Sequence, residues 1–172
     1  MAHMISRREA LKALALISGA ALLAACGGGG ESQQQPQQPE PQQPAGPKQE
    51  VSLEIATKGN ELYYDKNELR APANSRITLT FKNMADANSG LLHNWVLVRP
   101  GTSDAVANDG IAAGEANDYI KPGDNRVIVH TKMIKPGESD TITFDAPPAG
   151  TYDYICTFPG HAVLMRGKLI IQ

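Results

Sequence analysis

The chain has 172 residues and a formal net charge of −2 at neutral pH. A balance this close to zero excludes nucleic acid as an electrostatically recruited partner. With only Cys26 and Cys156 for cysteines, in very different settings, a disulfide framework is not expected.

Residues 1–25 read as an export signal. Met1-Ala2-His3 looks like a cloning remnant ahead of a start at Met4, so His3 is set aside. Arg7 and Arg8 make a basic start, and an apolar run follows from about Ala13 to Ala25. That run is shorter than the roughly 20 apolar residues a spanning helix needs. A buried core helix fits its position at the terminus poorly. Leu23-Ala24-Ala25-Cys26 resembles the bacterial lipobox, which implies a lipid on Cys26 and a membrane anchor. Ser6-Arg7-Arg8-Glu9-Ala10-Leu11-Lys12 resembles a twin-arginine signal, with Ala10 where that pattern usually has Phe. Both export routes stay open.

Residues 26–50 hold Cys26, a run of glycines and clustered Gln and Pro. This composition cannot bury a core and reads as a disordered to polyproline-II tether. At about 3.1 Å per extended residue it reaches at most roughly 70 Å. It implies an anchor on one side and a globular domain on the other.

That domain is residues 51–172, long enough for one core. Val51, Leu53 and Ile55 alternate, as do Ile77, Leu79 and Phe81. Further strand signals are HNWVLV at 93–98, RVIVH at 126–130, DTITF at 140–144, TYDYIC at 151–156 and KLII at 168–171. Turn clusters at 72–74, 122–124, 136–138 and 147–150 separate them. Many short strands between turns predict an all-β antiparallel sandwich. Residues 101–120, rich in Ala, Asn, Asp and Gly, predict an irregular excursion with a short helix.

The chemistry gathers in CTFPGHAVLM, residues 156–165. Cys156, His161 and Met165 form Cys-x4-His-x3-Met between two strand signals. Pro159 stiffens the loop and Gly160 permits a tight turn. Taken singly, Cys156 reads as a buried structural thiol, His161 as a surface histidine and Met165 as core packing. Together they offer a thiolate, an imidazole and a thioether at one point, a soft set that suits copper. A trigonal two-histidine, one-cysteine site with a long axial methionine requires a second histidine. His93, entering an apolar strand, is favoured over His130, which reads as a strand-end residue.

HNWVLV, NRVIVHTKMIKPGESDTITFD and CTFPGHAVLMRGKLII together resemble the azurin family of cupredoxins. The lipobox and tether add a likeness to its membrane-associated auracyanin branch. The resemblance implies a cupredoxin-like Greek-key β-sandwich with one type 1 copper, cycling between Cu(I) and Cu(II). It implies His93, Cys156 and His161 as equatorial ligands and Met165 as axial ligand. Azurins have Gly before the first ligand histidine, and its carbonyl approaches copper weakly. Leu92 stands there in this chain, so its carbonyl is the candidate fifth contact. The family's disulfide near the start of the domain has no counterpart in the cysteines here.

The resemblance further implies that the Asn94 side chain bonds across to the loop near Thr157, and that the Phe158 N–H points at the Cys156 sulfur. His161 is then the electron port, ringed by Leu91, Leu92, Phe158, Pro159, Ala162 and Val163. Those residues otherwise read as packing at one end of the core, as does Trp95. The expected function is one-electron transfer rather than enzymatic turnover, with a cytochrome, a membrane oxidoreductase complex or a photosynthetic reaction centre as partner. The expected location is the extracytoplasmic face of the cell membrane, lipid-anchored, and the expected state a monomer. Copper delivery would favour exposed Met/His clusters, and a copper enzyme such as a nitrite reductase would need further histidines and another domain. A plain adhesive or substrate-binding lipoprotein would have no use for the 156–165 loop.

Overall fold

A computed structural model describes residues 46–172. The export signal, Cys26 and the tether up to residue 45 lie outside the described residues. Among the described residues no helix is long and apolar enough to cross a membrane.

Strand β3, Ser75–Lys82, shows how the sequence builds the sandwich. Ile77, Leu79 and Phe81 are fully buried, while Arg76 is exposed and Thr78 and Thr80 are half-buried. A strand sends alternate side chains to opposite faces, so this pattern gives one inner and one outer face. β3 is the middle strand of a three-stranded sheet, between β1 (Gln49–Ala56) and β6 (Ser139–Asp145). On its outer face the hydroxyls of Thr78 and Thr143 meet at 3.2 Å and those of Thr80 and Thr141 at 3.0 Å. Such cross-strand threonine pairs support the register while facing water.

The second sheet has five strands in the order β2 (Glu68–Ala71), β8 (Arg166–Ile171), β7 (Gly150–Ile155), β4 (Val96–Val98) and β5 (Val127–His130). The all-β two-sheet fold matches the expectation, with local corrections. The sandwich is not wholly antiparallel, since β1 pairs with β3 and β2 with β8 in parallel. β2 lies in the opposite sheet between β1 and β3 in the chain, so the chain re-enters the first sheet in its original direction. β2 itself, sequence ELRA, is too short to leave a periodic signal. HNWVLV contributes a strand only at 96–98, while His93 makes an isolated bridge to Ile134. β1 begins at Gln49, so pairing starts two residues before position 51.

The inner faces bury Ile55, Ile77, Leu79, Phe81, Trp95, Leu97, Tyr154 and Leu169 in one cluster that includes Cys156 and Met165. The excursion is helix α1 (Ser103–Ala113) and a short 3-10 turn at Glu115–Asn117. Val106 of α1 and Ile120 join Val96, Val98 and Ile155 in a second buried cluster, on the other side of the five-stranded sheet. β4 is therefore buried on both faces: Leu97 points into the sandwich, and Val96 and Val98 point at the helix. A strand with no exposed face reads as a continuous apolar run, as VLV does.

Candidate metal centre

Cys156 directly follows β7, and Met165 directly precedes β8. The strand pairing sets Ile155 opposite Arg166. One step further, the Cys156 N–H donates to the Met165 carbonyl at 3.0 Å. Residues opposed across a ladder share a face, so both sulfur-bearing side chains turn inward. Each is fully buried.

The loop between them is closed by its own backbone. The His161 N–H donates to the Phe158 carbonyl at 3.0 Å, and the Met165 N–H donates to the His161 carbonyl at 2.8 Å. Gly160 takes φ 82°, the left-handed conformation that favours glycine. His161 then opens a short 3-10 turn, His161–Val163, with its ring turned toward Cys156.

His93 arrives from the other side. Its backbone bridges Ile134 in both directions, at 3.2 and 2.8 Å. Its Nδ1 lies 3.8 Å from the Cys156 Sγ, and the Nδ1 of His161 lies 3.6 Å from the same sulfur. All three donor atoms lie within 4.8 Å of one another, and all three residues are buried. The His93 Nε2 is also buried and has no hydrogen-bond partner.

Asn94 locks the two ligand-bearing segments together. Its Nδ2 donates to the Thr157 hydroxyl at 2.8 Å, and its Oδ1 accepts the Thr157 N–H at 2.9 Å. The Asp118 carbonyl accepts from both the Asn94 Nδ2 and the Thr157 hydroxyl, each at 3.1 Å. Two backbone N–H groups, of Asn94 and of Phe158, act on the Cys156 sulfur. The influence of the Asn94 N–H on the thiol is one the sequence did not disclose, because it depends on how two distant segments meet.

His130 lies elsewhere. It pairs with Val96, which also pairs with Ile155, so all three share the helix-facing side of the sheet. Cys156 follows Ile155 and points the opposite way. His130 is exposed, and its Nδ1 sits 3.0 Å from the Thr131 carbonyl. Of the two candidate histidines, the structure brings His93 to the thiol.

The apolar ring around His161 differs in part from the expectation. Val163 is 72% exposed and Leu164, not singled out from the sequence, is 47% exposed. Leu91, Leu92, Phe158 and Pro159 are half-buried. Ala162 is a correction: it is buried in the cluster with Val106 and Ile155, because the 3-10 turn points it at the helix. His161 itself is 6% exposed.

The electrostatics of the pocket suit a metal ion. Burial, then the neighbouring His161, lowers the His93 pKa to about 4. Burial also lowers that of His161. Burial pushes the Cys156 thiol up to about 11, opposed by the N–H groups of Asn94 and Phe158. Without a metal the pocket therefore holds neutral imidazoles and a neutral thiol. Neutral imidazole nitrogens are ligands, and a cation would draw the proton from the thiol. Metal–nitrogen bonds of about 2.0–2.1 Å and metal–sulfur bonds of about 2.3 Å, at a trigonal angle, place N and S about 3.7 Å apart. The two separations observed bracket that value. The donor set fits copper.

A sandwich that buries a cysteine, two histidines and a methionine at one end defines a blue copper protein of the cupredoxin class. The family described as copper binding proteins, plastocyanin/azurin family, matches residues 50–172. Auracyanin-A of Chloroflexus aurantiacus is 42% identical over 124 residues, covering 71% of this chain and 75% of the relative. Azurin-1 of Alcaligenes xylosoxydans is 40% identical over 126 residues, covering 70% and 96%. Among solved structures, auracyanin A of the same green photosynthetic Chloroflexus superposes with a TM-score of 0.67 at 42% identity, covering 72% of this chain and 99% of that one. Reduced auracyanin from Roseiflexus castenholzii gives a TM-score of 0.66 at 39% identity, with 70% and 96% covered. The chain belongs to the plastocyanin/azurin family of copper-binding proteins. Its cofactor is copper, and its activity is blue copper electron transfer.

Proposed function

We propose that copper is held by the Nδ1 atoms of His93 and His161 and the Sγ of Cys156, with the Met165 thioether as a long axial ligand. The Leu92 carbonyl, on the residue before His93, is the candidate for a weak further contact. The observation that carries this reading is the buried triangle in which both Nδ1 atoms stand 3.6–3.8 Å from one sulfur. The ion supplies a one-electron couple between Cu(I) and Cu(II). Everything else is the work of the chain.

That work is to hold the donors still. His93 is fixed by its bridge to Ile134, Cys156 by its bond to Met165, and both segments by Asn94. Donors held on a rigid sandwich need not rearrange when charge changes, which keeps the barrier to electron transfer low. The N–H groups of Asn94 and Phe158 stabilise charge on the sulfur, and Pro159 withholds a further donor. Four ligands from the chain would leave no open coordination position, so substrate chemistry is not expected and the protein is read as a carrier rather than an enzyme. The donors are buried, which also argues against a role in copper delivery.

The His161 edge is the electron port. Leu91, Leu92, Phe158, Pro159 and Val163, joined by Leu164, form the apolar rim on which a redox partner docks briefly. The partner class is a cytochrome, a membrane oxidoreductase complex or a photosynthetic reaction centre. The likeness to auracyanin from a photosynthetic bacterium favours a photosynthetic chain. Residues 1–25 direct export, the lipid on Cys26 anchors the chain, and residues 26–50 tether the domain 51–172 at the extracytoplasmic face. The protein works there as a monomer.

The test is the visible absorption of the copper-loaded protein, oxidised and reduced, beside Cys156→Ala. The proposal requires an intense blue band that bleaches reversibly and is absent from the variant. Copper bound equally well, and without that band, in both proteins would overturn it.

A further inference from the structure

The link from α1 to β5 holds two consecutive non-glycine residues in the left-handed region, Asp118 and Tyr119, each at φ 53°. That conformation is uncommon for a bulky side chain such as Tyr, and persists only where its surroundings impose it. The surroundings are on hand. The Asp118 carbonyl takes hydrogen bonds from Asn94 and Thr157, and its Oδ1 takes the Met133 N–H at 3.0 Å. Helix α1 packs its backbone against the Tyr119 carbonyl so closely that a Cβ on Gly110 would stand 2.0 Å from that oxygen. Gly110 is thus the residue that lets the helix press on the turn.

The outcome of this arrangement is where the Tyr119 ring goes. It meets Phe158 edge to face, with ring centroids 5.3 Å apart and planes at 67°. Phe158 in turn lies over the His161 imidazole at 4.5 Å and 38°. The order is therefore helix, strained turn, Tyr119, Phe158, His161.

We infer that Tyr119 is a positioning residue for the copper centre. Its ring backs Phe158, and Phe158 sets the orientation of the His161 imidazole. This rests on the reading of His161 as a copper ligand and electron port. The excursion at 101–120 is then the outer support of the metal loop rather than a passive insertion. Phe158 also carries an N–H that acts on the Cys156 sulfur, so any shift of Phe158 reaches two ligands at once.

Two substitutions separate positioning from bulk stability. Tyr119→Gly accepts the left-handed backbone and removes the ring. Tyr119→Phe keeps the ring and removes the hydroxyl. Two readouts apply to each: the reduction potential of the copper-loaded protein, and the ring proton resonances of Phe158 and His161 in the metal-free protein. Tyr119→Gly is expected to shift the potential and to collapse the distinct Phe158 and His161 ring resonances toward averaged positions. Tyr119→Phe is expected to match the parent in both. Should the glycine variant not fold, Tyr119→Asn carries the same comparison, since Asn tolerates this region. Phe158 and His161 resonances unchanged by loss of the Tyr119 ring, whatever the melting temperature, overturn the inference. The metal-free readout also separates it from the copper reading: if the parent chain takes up no copper but the glycine variant loses the ring order, Tyr119 still supports the Phe158 and His161 rings, and the copper reading alone fails.

Discussion

Asn94 and Thr157 exchange a reciprocal pair of hydrogen bonds, at 2.8 and 2.9 Å, between the segment that carries His93 and the loop that carries Cys156 and His161. Both residues are almost wholly buried. A broken pair would leave donors without water to satisfy them. Asn94→Leu should therefore cost about 1–3 kcal/mol of stability for the Thr157 N–H it strands. Equilibrium unfolding of the metal-free protein measures that loss. The copper-loaded variant should also show a changed reduction potential, because the loop bearing the Phe158 N–H is freed. A variant as stable as the parent would show that the pair carries no weight.

Met165 is fully buried beside Cys156, so its substitutions separate packing from ligation. Met165→Leu conserves volume and should cost less than about 1.5 kcal/mol. Met165→Ala opens a cavity and should cost about 2–5 kcal/mol. Both remove the thioether, and both should move the potential in the same direction. A potential that follows the cavity rather than the sulfur would make Met165 a core residue only.

The pocket predicts a pH dependence for the metal-free protein. His93 falls from 6.5 to about 4 on folding, so between those values the unfolded chain binds the proton and the folded chain does not. Stability is then full above about pH 6.5 and declines as pH falls toward about 4, by up to about 3 kcal/mol for this residue. His161 is lowered by burial and adds in the same sense. Denaturant melts of the metal-free protein across that range give the curve. A flat profile would mean that the imidazoles are not held neutral.

His130 supplies the control. It is exposed and lies on the face of the sheet opposite Cys156. His130→Ala should leave the blue absorption and the potential unaltered and change stability by less than about 0.5 kcal/mol. Loss of the blue band in this variant, with His93 intact, would reverse the assignment of the second histidine.

Local chemistry alone determined a good part of this protein. The loop at 156–165 announced its donors because Cys156, His161 and Met165 are close in the chain and their spacing survives any packing. β3 was legible because Ile77, Leu79 and Phe81 alternate at the strand period. What only the tertiary structure decided depends on pairing between distant segments. The sequence favoured His93 over His130 but could not place either: pairing sets His130 opposite Val96 on the helix-facing side of the sheet, and the bridge to Ile134 brings His93 to the thiol. β2 stayed hidden because its four residues, Glu68–Ala71, carry too little pattern and are held by parallel pairing with β8. Ala162 turned inward because of a helix packed on the other side of the sheet, which nothing in its own neighbourhood records. The left-handed turn at Asp118 and Tyr119 lacks the glycine that signals such a turn, since its cost is met by contacts from Asn94, Thr157, Met133 and Gly110, all remote in sequence.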